Sequence, residues 1–142
     1  METWSKIGKK SQRKGKRGER EFAQFCKKHG FLEARRGQQY SGIEGEDIVG
    51  LPLIHVEVKF YGKKEDLNIQ KALEQAIRDA DNKIPVVAWR INHQRGWNIV
   101  MRTVDFVELF SGEPCQRELF TSVQMDGDEW MVIYKRYLEM RK

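Results

Sequence analysis

Glu46-Asp47-Ile48-Val49-Gly50-Leu51-Pro52-Leu53-Ile54-His55-Val56-Glu57-Val58-Lys59-Phe60 is the stretch whose reading decides the fold. Two apolar runs, Ile48-Val49 and Leu53 to Val58, flank Gly50-Leu51-Pro52, the pattern of strand, turn and strand. Side chains alternate along a strand, so Ile54, Val56, Val58 and Phe60 share one face while His55, Glu57 and Lys59 share the other. Asp47 brings a second carboxylate alongside Glu57. Two carboxylates, a backbone carbonyl such as that of Val58, and water form an oxygen site suited to Mg²⁺, with Mn²⁺ as a substitute. Lys59 beside it is placed to orient a water and to offset charge developing on a phosphate. The pattern predicts a metal-dependent phosphodiesterase centre. The competing reading is a half-exposed strand whose polar face carries Glu-x-Lys with no chemistry attached.

Working outward, 142 residues and 16.8 kDa give one domain's worth of chain, long enough for a core. A net charge of +5 points to a polyanionic partner, nucleic acid before an anionic membrane surface. No apolar run approaches the ~18 residues of a membrane span, and there is no apolar signal-peptide core, so the expected location is the cytoplasm, on the nucleoid or in a phage-infected host. Cys26 and Cys115 stand apart with no Cys-x-x-Cys or Cys/His cluster, which predicts reduced thiols and no zinc site.

Residues 1–16 are expected to form a flexible basic arm, with 17–142 as a single domain. Lys6, Lys9, Lys10, Arg13, Lys14, Lys16 and Arg17 stand against Glu2 alone, and Gly8, Gly15 and Gly18 read as helix interruptions. Lys14, Lys16 and Arg17 are candidate phosphate contacts; a merely solubilising tail is the alternative. From Gly18 to His29, Phe22, Phe25, Cys26 and His29 give a helical stripe that Gly30 ends. Glu19 and Glu21 would then lie in the first turn, where the helix dipole alone accounts for them. A short strand carrying Arg35 and Arg36 leads into a polar loop, Gly37 to Gly45, placed to touch a phosphate backbone or base edges, or to be a plain surface loop.

Lys16-Arg17-Gly18-Glu19-Arg20-Glu21, then Gly30-Phe31 and Arg35, then Ser41-Gly42, Asp47-Ile48-Val49 and Glu57-Val58-Lys59 together resemble the archaeal-type Holliday junction resolvases. These belong to the PD-(D/E)xK nuclease superfamily and are also encoded by phages. The resemblance covers roughly residues 14 to 100, in order. It implies a restriction-endonuclease-like core in which Glu19 joins the acidic cluster, Asp47 and Glu57 hold the metal, and Lys59 supports the attacking water. Arg20, Arg35 and Ser41 match positions near the scissile phosphate, and Gln70 matches the polar residue that the following helix often contributes. A solvated first-turn glutamine is the plainer account of Gln70. One departure is Glu46 where the family usually has proline, and Glu44 and Glu46 leave open which carboxylate reaches the metal.

Farther along, Asn68 reads as the cap of a helix burying Ile69, Ala72, Leu73, Ala76, Ile77 and Ala80, with Gln70, Lys71, Glu74, Gln75 and Arg78 on its outer side. Ile84 to Ile91 reads as a buried strand, Trp97 to Met101 as its hairpin partner, and Thr103 as the cap of a short helix from Val104 to Phe110. The fold class expected is α/β, a mixed central sheet flanked by helices. Residues 111–142 allow two readings: a hairpin across Asp126-Gly127 joining Phe120–Val123 to Trp130–Tyr134, or a helix capped by Asp128 with Trp130, Ile133, Tyr134, Tyr137 and Leu138 along one side. Either would pack on the core or on a second subunit.

The function expected is a Mg²⁺-dependent endonuclease acting on DNA, four-way junctions first, as a homodimer with one site for each of two symmetry-related phosphates. A nicking or restriction-type nuclease on duplex shares the same core. A non-catalytic basic DNA-binding module is the third reading. It gives no reason to set Glu19, Asp47 and Glu57 against a phosphate that they repel.

Overall fold

The computed structural model describes residues 4–37 and 47–142, with side chains described from Gly15 onward. The chain order is α1 (Trp4–Lys28), β1 (Arg35–Arg36), β2 (Ile48–Val49), β3 (Ile54–Tyr61), a 3₁₀ turn (Lys64–Asp66), α2 (Ile69–Asp79), β4 (Ile84–Ile91), β5 (Asn98–Arg102), α3 (Thr103–Ser111), β6 (Ser122–Asp126) and α4 (Gly127–Met140). This is an α/β architecture whose central sheet runs β3-β4-β5-β6. The sheet is mixed: β3 and β4 are parallel, with Ile54 opposite Ile84, whereas β4–β5 and β5–β6 are antiparallel.

The parallel pair follows from the intervening helix, since parallel neighbours need a crossover and α2 supplies it. Asn68 caps α2 by accepting from the Lys71 amide at 3.3 Å, and Ala72, Leu73 and Ala76 are its buried residues. β4 is apolar on both faces because both are covered. Val86 and Ala88 join Phe22, Ile54, Val56, Ile99, Leu109, Trp130 and Tyr134 on one side. Val87 and Trp89 join Ala72, Leu73, Ala76 and Val100 on the other, beneath α2.

α1 begins at Trp4, so the glycines expected to interrupt it do not. Gly18 has a different task. A Cβ there would sit 2.9 Å from the Phe60 Cβ, so its absence lets α1 approach β3. β2 does not enter the central sheet as the partner of β3; it pairs with β1, Arg35 opposite Val49 and Arg36 opposite Ile48. Gly50 makes the turn that follows, at φ +92, where a side chain would run into the backbone of Glu33.

The last segment settles on the helix. β6 extends the sheet by pairing with β5, and Trp130–Tyr134 lie in α4, not in a hairpin strand. Its cap is Asp126, which accepts from the Asp128 amide at 2.7 Å, and not Asp128 itself. Similarly Arg102 precedes α3 with no side-chain cap, and Thr103 is its first residue. Trp130, Met131, Tyr134 and Tyr137 are buried against the protein's own core, and Tyr134 donates to the Pro52 carbonyl at 2.7 Å. Truncating one of these aromatics would cost about 3–5 kcal/mol. No helix among the described residues is long and apolar enough to cross a membrane.

Candidate active site

β3 is an outer strand of the sheet, and its face away from the main core carries His55, Glu57 and Lys59. His55 and Glu57 are buried, each 3% exposed, and His55 Nε2 lies 3.0 Å from Glu57 Oε1. The Val58 amide points to the unpaired side of β3 and donates to Asp47 Oδ2 at 2.8 Å. An edge-strand amide is thereby satisfied by a side chain, and that bond fixes Asp47 beside Glu57. The proximity is visible in the acidity of Asp47, pushed up from 3.8 to about 7. Burial is the main cause, the Glu57 charge the next; Glu19 adds to it, and only the Val58 amide works the other way.

Glu19 enters from the middle of α1, about four turns from its start, and has no place in the first turn. The helix dipole therefore does not account for this residue, since the effect fades within the first turn. Glu19 Oε2 accepts from Arg36 Nε at 2.6 Å, and the Glu19 side chain is 18% exposed. Glu21 looks elsewhere: it pairs with Arg17 at 3.0 Å and with Arg90. The Arg90 guanidinium is wedged over the rings of Phe60 and Trp97, and Arg17 also lies over Phe60. The two glutamates thus serve different surroundings, as about 100° of rotation per residue requires.

Lys59 Nζ donates to Gln75 Oε1 at 3.1 Å. The polar residue that α2 sends toward the lysine is therefore Gln75, expected on the solvated side, and not Gln70. Gln70 is exposed and bonds Glu74 along its own helix at 3.3 Å. The signal that would have found Gln75 is its position one residue before Ala76, at the border of the buried stripe. A second grouping was also missed: His55, Glu57 and Asp79 each offer a ligand atom, all within 4.8 Å of one another. Its signal was His55, two residues before Glu57 on one strand face.

The remaining candidates separate. Arg36 is half-buried against Glu19, while Lys16, Arg17, Arg20 and Arg35 are exposed. Ser41, Glu44 and Glu46 lie outside the described residues, as does the side chain of Lys14. Cys26 is buried, its thiol pushed up to about 12 by desolvation, and Cys115 is half-exposed; both are free. Set against protein-family models, curated proteins and solved structures, this chain finds no match. Its chemistry is therefore read from the site itself.

The donor chemistry fits a hard divalent cation. Carboxylates of Asp47 and Glu57, with Glu19 close by, are gathered where burial, and after it the charge of Glu57, holds a proton on Asp47 near neutral pH. A cation between them would relieve their repulsion and release the proton. Lys59 stands two residues along the same strand face, steered by Gln75.

Proposed function

We propose that this protein is a Mg²⁺-dependent DNA endonuclease that acts preferentially on four-way junctions. The observation that carries the reading is the convergence of Glu19, Asp47 and Glu57 from three separate elements, with Lys59 beside them. A merely solvated polar strand face gives no reason to bury Glu57 at 3% exposure or to raise Asp47 to about 7. Nor does a plain DNA-binding module, since buried carboxylates facing a phosphate oppose its approach.

Asp47, Glu57 and the Val58 carbonyl would hold the cation, with Glu19 on its other side. Mg²⁺ held there supplies positive charge against the phosphate and the departing oxygen. Lys59, held by Gln75, orients the attacking water and offsets charge that grows in the transition state. Glu19, freed from Arg36, adds a carboxylate to the cluster, and Arg36 becomes available to a phosphate oxygen. Arg20 and Arg35, both exposed, would be the further phosphate contacts, and Lys16 and Arg17 would extend them along α1. The preference for junctions is supported by the ordered motif set from Lys16 to Lys59 and by the +5 charge. A twofold pair of chains would present one site to each symmetry-related phosphate.

The test is cleavage of end-labelled four-way junction, flap and matched duplex, each with Mg²⁺ and with chelator. Junction cleavage that requires Mg²⁺ is the expected result. Preferential cleavage of duplex would move the reading to a restriction-type or nicking enzyme, and absence of cleavage on all three with metal present would overturn it.

A further inference from the structure

Contacts between α2 and the polar face of β3 run in opposite directions along the two elements. Gln75 meets Lys59, and Asp79, one helical turn further, meets His55 and Glu57. The ligand atoms of His55, Glu57 and Asp79 all lie within 4.8 Å of one another. Donor atoms that share a first-row dication stand roughly 3–3.5 Å apart. His55 Nε2 and Glu57 Oε1, 3.0 Å apart, already do. Asp79 is half-buried, so it can close the set by a side-chain rotation and leaves a way in from solvent.

Local structure gives no reason for this grouping. Asp79 is the last residue of α2, where the negative end of the helix dipole disfavours a carboxylate. Burying Glu57 is costly unless its charge is compensated. The cations nearest in the chain turn elsewhere, Lys59 to Gln75 and Arg36 to Glu19. Among the described residues, the ion-pair partner left to Glu57 is His55. A histidine that only steadied Glu57 would need no carboxylate from α2.

We propose that His55, Glu57 and Asp79 form a second metal site, selective for a first-row transition dication such as Mn²⁺ or Zn²⁺. Imidazole favours these ions, whereas Mg²⁺ takes oxygen ligands. The all-oxygen group of Asp47, Glu57 and Glu19 therefore suits Mg²⁺, and the imidazole sorts the two positions by chemistry. With its proton on Nδ1, His55 turns the Nε2 lone pair to the ion. Glu57 belongs to both groups and is the ligand they share. The inference goes beyond the endonuclease reading, which leaves His55 and Asp79 without a role.

Mn²⁺ is the probe, added below one equivalent to the full chain in excess Mg²⁺ and followed by electron spin echo. Wild type should show nitrogen modulation from a bound imidazole. Asp47→Asn should keep it, because Asp47 belongs to the other position. His55→Gln, whose amide still donates to Glu57, should lose it with circular dichroism unchanged. Asp79→Asn should weaken Mn²⁺ binding by about 100-fold or more, the upper end of what outer-shell partners cost. Its melting temperature without metal should stay at or above that of wild type, so it carries the test if His55→Gln fails to fold. Wild type without nitrogen modulation, modulation that persists in folded His55→Gln or is lost in Asp47→Asn, or wild-type Mn²⁺ affinity in Asp79→Asn would overturn the proposal. None of these readouts is cleavage. A nitrogen-bound ion in a chain that cuts no DNA sinks the endonuclease reading alone, and Mg²⁺-dependent cleavage without nitrogen modulation sinks this inference alone.

Discussion

Asp47 Oδ2 accepts the Val58 amide at 2.8 Å, and this bond ties the residue just before β2 to the strand that carries Glu57 and Lys59. One carboxylate thereby does two jobs that pull its protonation in opposite directions. The amide favours the anion, whereas burial and the charge of Glu57 favour the acid and prevail, with Asp47 at about 7. The folded chain holds this proton more tightly than the unfolded chain, in which the carboxyl returns to about 3.8. Stability from this group is therefore full below about pH 4 and is lost as pH rises through 7, by a few kcal/mol at most. Asp47→Asn should flatten that fall, because an amide oxygen still accepts from Val58. It should also abolish cleavage while leaving DNA binding intact or tighter. Thermal melting between pH 4 and 8, without metal, checks the first statement; a variant with wild-type cleavage would refute the second. Mg²⁺ should raise the wild-type melting temperature more at pH 8 than at pH 5 and leave Asp47→Asn nearly unmoved.

Lys59 and Gln75 separate chemistry from positioning. Lys59→Ala should abolish turnover while Mn²⁺ binding survives or tightens, because a neighbouring positive charge opposes a cation. Calorimetric titration of Mn²⁺ into both proteins reads this directly, and loss of binding in Lys59→Ala would count against the assigned role. Gln75→Ala removes one hydrogen bond to the amine, worth about 1 kcal/mol. It should slow turnover roughly fivefold with DNA affinity unchanged. Gln70→Ala, on the exposed side of α2, should leave both turnover and DNA affinity unchanged.

Glu19 and Glu21 make a matched pair. Glu19 sits mid-helix against Arg36, so its loss removes no dipole stabilisation. Glu19→Gln should be nearly inactive on junctions with a melting temperature close to wild type. Glu21 anchors Arg17 and Arg90 away from the carboxylate cluster. Glu21→Gln should cleave normally, and any cost should appear in stability, of order 1 kcal/mol for a partly exposed pair. Equal activities of the two variants, or the reverse order, would remove Glu19 from the site.

How far these residues can be read from the chain depends on whether a local period or a distant neighbour places them. Alternation along residues 54–60 assigns Glu57 and Lys59 to one face, and the strand carries them so. The continuous apolar run of β4 announces a doubly covered strand, and the sheet is mixed as expected. Gly18 misleads because its permissiveness reads as a break when the reason for it lies in Phe60, far along the chain. A helix taken to begin there gives Glu19 a dipole role that the longer helix removes. Gln75 is hidden for a similar reason: only the docking of α2 on β3 shows which flank of the stripe meets Lys59. At the C-terminus, Val123 and Met125 obey a period of two while Trp130, Tyr134 and Tyr137 obey a helical one, and the change at Asp126 marks the cap.

The basic segment before Gly15 provides the last test. Its cations fall at positions 6, 9, 10, 13 and 14, with Arg17 continuing the series, the three- and four-residue spacing of a helix. The backbone is helical from Trp4, which makes this spacing meaningful where a flexible arm would not. Replacing Lys6, Lys9, Lys10, Arg13 and Lys14 with Gln keeps good helix formers throughout, so far-ultraviolet circular dichroism should hardly change. DNA affinity should fall, and the slope of its logarithm against log salt should flatten by up to about 0.9 for each phosphate that is no longer neutralised. Turnover at saturating DNA should stay near wild type, because Glu19, Asp47, Glu57 and Lys59 are untouched. An unchanged salt slope with the helix intact would show that these charges only solubilise the protein.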